Sequence, residues 1–513
     1  MPFVLSRRST KTVLLHGKEG NVVTTRGHQH SKSAAIRSQL NHPIIDSDGH
    51  VAEFEPVWFD YMRDVGGSDF AERFKNAPDV PFFFQWYRMS WQERRDRRMP
   101  RPHWWVHPTK NTLDRATSSL PKLMHERLDE TGLDFSIMYP SMGMAALHMS
   151  DEEVRRVVCR AYNKYQSDMF RECSDRMTPV AVIPMYTPQE AIEELEYAVK
   201  VLGMKVPLLA AHVRRPIKAT AEASAEFRRY AFWLDTFCMD SEYDYDPVWK
   251  KCIELKVAPT FHSLGVGWGS RTSISNFMYN HIGHFAASAE ALCKALFFGG
   301  VTRRFPELRF AFLEGGVGWA SVLYNDLVGH WEKHNVNFLD HFDPANLDEK
   351  LMYDLFAQYG GKHFAEKLAS KEHRSHLLWG AYEEKKENRL DEWAPCQIER
   401  KEDVRDLFVP RFYFGCEGDD RITASAFDTR RHAMGARLNA IYGSDLGHWD
   451  LPDMRDAAAE AYELVEKEVM SEDEFRQFVF VNPVKLVTSS NPDLFKGTVV
   501  ESAVKKLLAE NGE

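Results

Sequence analysis

Long apolar runs are missing from this sequence. None approaches the ~20 residues that a membrane-spanning helix needs, so no membrane partner is expected. Cysteine is sparse: seven in 513 residues, all isolated, at Cys159, Cys173, Cys238, Cys252, Cys293, Cys396 and Cys416. An odd count with no CxxC pair argues against a disulfide framework and for a reducing compartment, and a cytoplasmic location is the expectation. Positive charge is not in excess either. Lys and Arg number 65 against 75 Asp and Glu, a net charge of -10. A general nucleic-acid binder usually carries a basic domain, so no nucleic-acid partner is expected. No fixed-period repeat is visible, and no low-complexity tract outside the N-terminus.

The first 41 residues are rich in Ser, Arg and Lys, with Glu19 as their only acid. A transit peptide has this composition, and so does a flexible tail. No clear amphipathic helix emerges, which favours a tail. The expected division is a flexible basic tail over residues 1–42 and a single domain over 43–513. A hydrophobic content of 44% is enough for a large core.

After the tail, short apolar runs bounded by Pro or Gly alternate with helical patterns. The strand candidates are "HPIIDSDGH" (from His42), "FSIMYPS" (from Phe135), "TPVAVIPM" (from Thr178), "KVPLLAAH" (from Lys205), "VAPTFHS" (from Val257), "RFAFLEGG" (from Arg309), "FYFGCE" (from Phe412) and "AIYGSDLGH" (from Ala440). Between them lie stretches such as "DEEVRRVVCRAYNKYQSDMFREC", apolar at three- and four-residue spacing. "TPQEAIEELEYAVKVL" has a Thr cap, a Pro at the first helical position and early acids. Alternating strands and helices predict a parallel sheet. Eight strands predict a (β/α)8 TIM barrel. A doubly wound open sheet is the alternative, weakened because no Gly-rich loop follows the first strand. Two insertions, at about 60–125 and 324–410, break the alternation and are expected above the barrel as lids or oligomer contacts. The first mixes aromatics with arginines ("FFFQWYRMSWQERRDRRMPRPHWW"); the second holds the charged patch "EKKENRLDEW".

The strand ends share a feature that burial does not explain. The first ends in Asp46, Asp48 and His50, the fifth in His262, the sixth in Glu314, and the eighth in Asp445 with His448 beyond. In a parallel barrel these ends meet at one mouth. Asp48 and His50 are two apart, so they face the same side of a strand. Imidazole with carboxylate suits Zn²⁺, Mn²⁺ or Fe²⁺ rather than Ca²⁺. Singly, each has a plain reading: Asp48 as a turn cap, Asp445 as a turn residue, His50 and His262 as satisfied histidines, Glu314 as an acceptor of backbone amides. Their joint placement points to a metal site. Softer candidates for substrate contact are His281, which can equally cap a helix, His448, which can close its turn, and Arg215 with Arg214, which can equally be surface charges. Glu53 can support the metal ligands or cap a helix.

The stretches "DSDGHVAE", "FHS", "FLEGGVGW" and "YGSDLGHWD", with "GGVTRRFPELRF" and "NPVKLVTSSNP", resemble the amidohydrolase superfamily, in its amidohydrolase-2 branch with aminocarboxymuconate semialdehyde decarboxylase. The resemblance runs from about Pro43 to Leu494. It implies a metal-dependent (β/α)8 barrel in which Asp48, His50 and His262 are ligands and Asp445 both touches the metal and moves a proton. Two positions depart from that pattern. Asp48 stands where many members have His or Glu, and Glu314 where the decarboxylases have a catalytic His.

The expected activity is therefore that of a metal-dependent hydrolase. A metal-activated water, with Asp445 as base and Glu314 as a second catalytic carboxylate, would attack a small organic or aromatic acid, amide, ester or ring-cleavage product. The alternative is a metal-dependent decarboxylase of an aromatic or dienoic acid. A catalytically inactive barrel serving as a binding protein is a third reading, opposed by the intact set of candidate ligands. The expected cofactor is one divalent ion, Zn²⁺ before Mn²⁺ or Fe²⁺, and the expected assembly a homo-oligomer.

Overall fold

The computed structural model describes residues 15–16, 22–23, 31–77, 86–103, 108–228, 230–264, 268–269, 271–376 and 391–511. Eight strands form one sheet: β1 (Ile45–Val51), β2 (Phe135–Pro140), β3 (Met177–Ile183), β4 (Val206–Ala210), β5 (Thr260–His262), β6 (Phe310–Phe312), β7 (Phe412–Glu417) and β8 (Asn439–Gly443). They run in that spatial order, and every pair is parallel. β8 comes back beside β1: the Asp445 amide donates to the Asp48 carbonyl at 3.1 Å, and the His50 amide to the Leu446 carbonyl at 2.6 Å. The sheet is thus nearly closed, with helices outside, as expected of a (β/α)8 barrel.

Strands buried on both faces need continuous apolar runs, and those runs are what made them legible. Stacked aromatics lie between the sheet and its helices: the ring pairs Phe261–Phe312 and Phe312–Phe414 have centroids 5.7 and 6.2 Å apart, and Trp319 and Phe408 of the flanking helices pack on them. The surrounding helices begin where their caps dictate. Asp151 accepts from the Val154 amide to start Glu152–Phe170, and Thr187 with Glu190 forms a capping box at Pro188–Glu196.

Asp46 is the seam of the barrel. Its fully buried carboxylate accepts from the Ser444 amide (2.9 Å), the Ser444 hydroxyl (2.8 Å), the Ser136 hydroxyl (2.6 Å) and the Asp48 amide (3.1 Å). It therefore joins β8 to β1 and β1 to β2. The β1–β2 register shifts between Asp46 and Gly49, and this irregularity sets the direction of Asp48 and His50.

The tail expected over residues 1–42 is shorter than its composition suggested. Lys32–Gln39 is a helix capped by Ser31, with Ser33 and Ile36 buried. The Ser33 hydroxyl accepts from the Ala459 amide at 3.0 Å, and Arg37 pairs with Asp134. Of residues 1–30, all but the two short strands lie outside the described residues.

The first insertion reaches over the barrel mouth: the Arg101 amide donates to the Ser273 carbonyl at 2.8 Å in the stretch after β5. In the second, Gly318–His334 packs beside Lys401–Phe408, while Glu349–Leu368 is largely exposed. Most of the charged patch "EKKENRLDEW" lies outside the described residues. Among the described residues no helix is long and apolar enough to cross a membrane.

Candidate metal centre

The mouth of the barrel gathers Asp48, His50, His262 and Glu314, each offering one ligand atom within 4.8 Å of all the others. His50, Asp445 and His448 form a second such group. Residues from β1 and from the ends of β5, β6 and β8 are thus brought together across some 400 positions of sequence.

The chemistry of the cluster lies in its hydrogen-bond roles. Nδ1 of His262 is 3.0 Å from the Ser263 carbonyl, and Nδ1 of His50 is 3.3 Å from the Pro140 carbonyl. A carbonyl only accepts, so both Nδ1 atoms carry the hydrogen and both Nε2 atoms present lone pairs. The Nε2 of His262 faces Glu314 Oε2 at 2.8 Å and Asp48 Oδ2 at 3.9 Å. The Nε2 of His50 faces Asp445 Oδ1 at 3.3 Å and Asp48 Oδ1 at 3.5 Å. Imidazole lone pairs and carboxylate oxygens thus converge around Asp48, His50 and His262, while the His448 Nδ1 stands 2.9 Å from Asp445. Acceptors facing acceptors in a buried place need a cation, and neutral His with carboxylate is a ligand set for Zn²⁺, Mn²⁺ or Fe²⁺. The residues present fit a divalent metal ion.

Electrostatics agree. Burial, with Glu314 and Asp445 as like-charged neighbours, holds the Asp48 carboxyl well above its ordinary range. Burial, with Glu417 and Asp450, does the same to Glu314; burial, with Glu314 and Glu417, to Asp445. Asp450 is pushed up to about 9 by burial and by Asp445, and Glu417 to about 8 by burial and by Asp450. Burial lowers His262.

The backbone at the two carboxylates is unusual. Glu314 has φ 56° and Asp445 φ 49°, left-handed conformations that cost a non-glycine residue about 1–2 kcal/mol. Each stands two residues past the end of its strand, and the turn swings the side chain over the mouth. Gly447 serves the same end: at φ 99°, a Cβ there would lie 2.4 Å from the His50 carbonyl oxygen.

A small cavity of about 80 Å³ opens onto the cluster. Its wall mixes the polar His262, Glu314, His448, Asp450, Ser141 and Ser263 with Met142, Met144, Leu264, Phe277, Phe285, Trp449, His103 and His281. No Lys or Arg lines it among the described residues.

His281 lies in that wall, its ring 5.3 Å from Trp449 and 5.4 Å from Phe285. Burial lowers its pKa to about 4. His448 stacks on His50 at 3.8 Å, with Nδ1 2.9 Å from Asp445 and Nε2 2.7 Å from the Ser141 hydroxyl. Burial and His262 lower it to about 3.

Arg215 is not at the cavity. It lies in the antiparallel hairpin of Val213–Pro216 with Phe232–Asp235, where its guanidinium donates to Asp235 at 2.8 Å and to the Tyr245 hydroxyl at 2.9 Å. Arg214 covers the Phe232 ring. Glu53 supports neither the metal ligands nor the helix after it. It accepts the amides of Ser141, Met142 and Gly143 at 2.9 to 3.1 Å, and so fixes the turn after β2 that carries three lining residues. Asp450 and Trp449 were given no role from sequence, although both stand in the "YGSDLGHWD" motif. His103, within the first insertion, was missed as well.

Comparison with known proteins follows this geometry. A family model described as amidohydrolase matches residues 103–363, just over half of the chain, including β2 to β6 with His262, His281 and Glu314. A search of curated proteins gives no match. Solved structures with a similar course include an amidohydrolase from Mycobacterium avium subsp. paratuberculosis K-10, 14% identical, with 87% of this chain and 100% of that one covered and a TM-score of 0.47. A dihydroxybenzoic acid decarboxylase from Polaromonas sp. JS666 with bound manganese is 15% identical, with 89% and 99% covered and a TM-score of 0.44. A 5-carboxyvanillate decarboxylase from Novosphingobium aromaticivorans DSM 12444, complexed with manganese, is 15% identical, with 88% and 97% covered and a TM-score of 0.46. With the family model spanning half of its length and an eight-stranded parallel barrel carrying His and carboxylate side chains at its mouth, the chain belongs to the amidohydrolase family.

Proposed function

We propose that this protein is a metal-dependent carboxy-lyase that removes CO2 from a small aromatic or dienoic carboxylic acid. The observation that carries the reading is the cavity itself. His262, Glu314, His448 and Asp450 line it together with the aromatic Phe277, Phe285 and Trp449, and among the described residues no Lys or Arg lines it.

Asp48, His50, His262 and Asp445 would hold one divalent ion, with Glu314 closing the group beside His262. When bound, the ion supplies the positive charge that a carboxylate substrate and its neighbouring oxygen need. The remaining steps belong to the chain. Phe285, Phe277 and Trp449 hold a flat substrate and exclude water. Apolar walls favour loss of a charged carboxylate as neutral CO2, a form of desolvation that the lining supports. The C–C bond breaks with its electron pair left on the substrate carbon, which then takes a proton. Asp445 is the proposed donor: its buried carboxyl stands at the mouth, 3.3 Å from His50 and 2.9 Å from His448. His448, fixed by Ser141 and in contact with Asp445, orients that carboxyl.

Sequence alone favoured hydrolysis. The aromatic side chains that line the cavity, Phe277, Phe285 and Trp449, support loss of CO2 from a flat acid instead. The test is to incubate the Mn²⁺- or Zn²⁺-loaded protein with hydroxylated benzoates in D2O, 2,6-dihydroxybenzoate first. Released CO2 with deuterium at the vacated carbon is expected. Incorporation of ¹⁸O from water without CO2, on an ester or amide panel, would make it a hydrolase.

A further inference from the structure

Within the first insertion, residues 86–103 run to the cavity wall, where His103 stands. The reaction above gives that histidine no task. The segment that carries it holds its own shape. Trp86 is buried, its ring covered by the Arg94 guanidinium at 3.7 Å and by that of Arg101 at 5.6 Å. Ser90 and Glu93 form a capping box on the short helix Trp91–Asp96. The Tyr87 hydroxyl donates to the His103 carbonyl at 2.9 Å, which ties the two ends of the segment together.

The segment is fastened across the loop after β5. Arg98 donates to the Thr272 carbonyl at 3.3 Å, the Arg101 amide to the Ser273 carbonyl at 2.8 Å, and the Arg101 guanidinium to the Ser275 carbonyl at 2.8 Å. Asn280 closes the clasp from the other side. Its side-chain nitrogen donates to the carbonyls of Arg101 at 3.0 Å and Ser273 at 2.9 Å, and its oxygen accepts from the Ser273 amide at 2.6 Å. Asn280 is 1% exposed and does not line the cavity. Both of its donors and its oxygen are committed, so it specifies one geometry. The backbone is thereby fixed two residues before His103. At the cavity, the His103 ring stands 5.2 Å from Phe277, which stands 5.2 Å from His281, with Trp449 5.3 Å beyond. An imidazole is thus set among the rings that would hold a flat acid. With no Lys or Arg in the wall among the described residues, a substrate oxygen that the metal ion does not take meets imidazoles and hydroxyls. A neutral imidazole offers one N–H to such an oxygen.

We propose that His103 is a substrate-binding residue, which donates a hydrogen bond to an oxygen substituent of the flat acid away from the carboxylate that is lost, and that Asn280 is the positioning residue that holds it there. Recognition of the substituent is then the task of the insertion, while the barrel strands keep the metal ligands. Such a division makes the substrate selective, because a site built to bond an oxygen rejects the analogue that lacks it. The inference rests on the flat carboxylic acid proposed above and not on the fate of that acid.

The test is binding rather than turnover. The full chain loaded with Mn²⁺ is titrated in a calorimeter with 2-hydroxybenzoate and with the 2,4-, 2,5- and 2,6-dihydroxybenzoates. At least one dihydroxy acid should bind about tenfold more tightly than 2-hydroxybenzoate, the worth of one buried hydrogen bond. His103→Phe should remove that advantage, and His103→Gln, which keeps a donor, should restore part of it. Asn280→Ala should remove it too, although Asn280 does not line the cavity, and the double variant should be no worse than either single one. Binding of 2-hydroxybenzoate and the metal content should stay as in the parent, and circular dichroism checks that each variant folds. An advantage that survives His103→Phe, or no advantage for any of the three acids in the parent, overturns the proposal. An advantage lost in His103→Phe but kept in Asn280→Ala overturns the positioning role. The expected pattern without CO2 release leaves this inference standing and removes only the lyase reading. CO2 release by a His103→Phe chain with unchanged KM removes this inference and leaves the lyase.

Discussion

Replacing Asp46 separates the frame of the site from its chemistry. Its carboxylate is fully buried and accepts four hydrogen bonds, two from hydroxyls and two from the amides of Asp48 and Ser444. In Asp46→Ala the hydroxyls of Ser136 and Ser444 can rotate to other partners, but the two amides cannot. Each orphaned buried amide costs roughly 1–3 kcal/mol. Burial raises the Asp46 carboxyl above its ordinary value, so removing it also relieves some desolvation. The balance is a loss of about 3 kcal/mol. Asp46→Asn keeps one acceptor oxygen and should lose about half of that. The assay is urea denaturation of metal-free protein, followed by metal counting on the folded fraction. Folded Asp46→Ala should still hold metal, because Asp46 belongs to none of the candidate ligand groups. A stability change under about 1 kcal/mol, or complete loss of metal with stability intact, would refute the seam and make Asp46 a ligand.

Other outcomes follow from the same geometry. Arg215→Met should lower stability by about 3–5 kcal/mol by stranding the buried Asp235, and leave KM for any carboxylate substrate unchanged; a raised KM with stability intact would return Arg215 to the substrate. Gly447→Ala sets a Cβ against the His50 carbonyl at 2.4 Å and imposes φ 99° on a side chain, so it should weaken metal retention at least tenfold, about 1.4 kcal/mol, measured by chelator competition. Burial, with His148 and Arg214 nearby, lowers the pKa of His212 well below its ordinary value. The folded state therefore disfavours its protonation, and the stability this gives is present above about pH 6.5 and lost as pH falls. His212→Phe should show a smaller drop in urea midpoint between pH 7 and pH 5 than the parent.

Much of the fold was legible because its strands advertise themselves. Most are short runs rich in branched or aromatic residues, and a strand covered on both faces has no polar alternation to confuse it with a helix; β1, Ile45–Val51, is the exception and showed itself through Ile44 and Ile45. The strand ends were legible for the opposite reason: Asp48, His50, His262, Glu314 and Asp445 break those runs with groups that burial alone does not favour. What escaped the sequence is long-range or conformational. Arg215 looked free because its partner Asp235 is twenty residues away across a hairpin. Lys32–Gln39 looked like tail because its composition is basic, and only its docking on Ala459 and Asp134 builds it in. Glu53 binds amides that lie some ninety residues later. Asp450 stood in a quoted motif, yet nothing in one dimension sets its carboxylate beside Asp445. A positive φ is normally announced by glycine, so the left-handed turns at Glu314 and Asp445 gave no signal.

The central claim is that a divalent metal ion sits where Asp48, His50 and His262 converge. Anomalous diffraction from crystals of the metal-loaded protein, recorded on both sides of the metal's absorption edge, tests it most directly. The account predicts a peak within about 2.0–2.3 Å of the Nε2 atoms of His50 and His262 and of an Asp48 oxygen, absent from a His262→Ala crystal. A metal-loaded crystal with no peak at the barrel mouth, or with its peak bound by other residues, would contradict it.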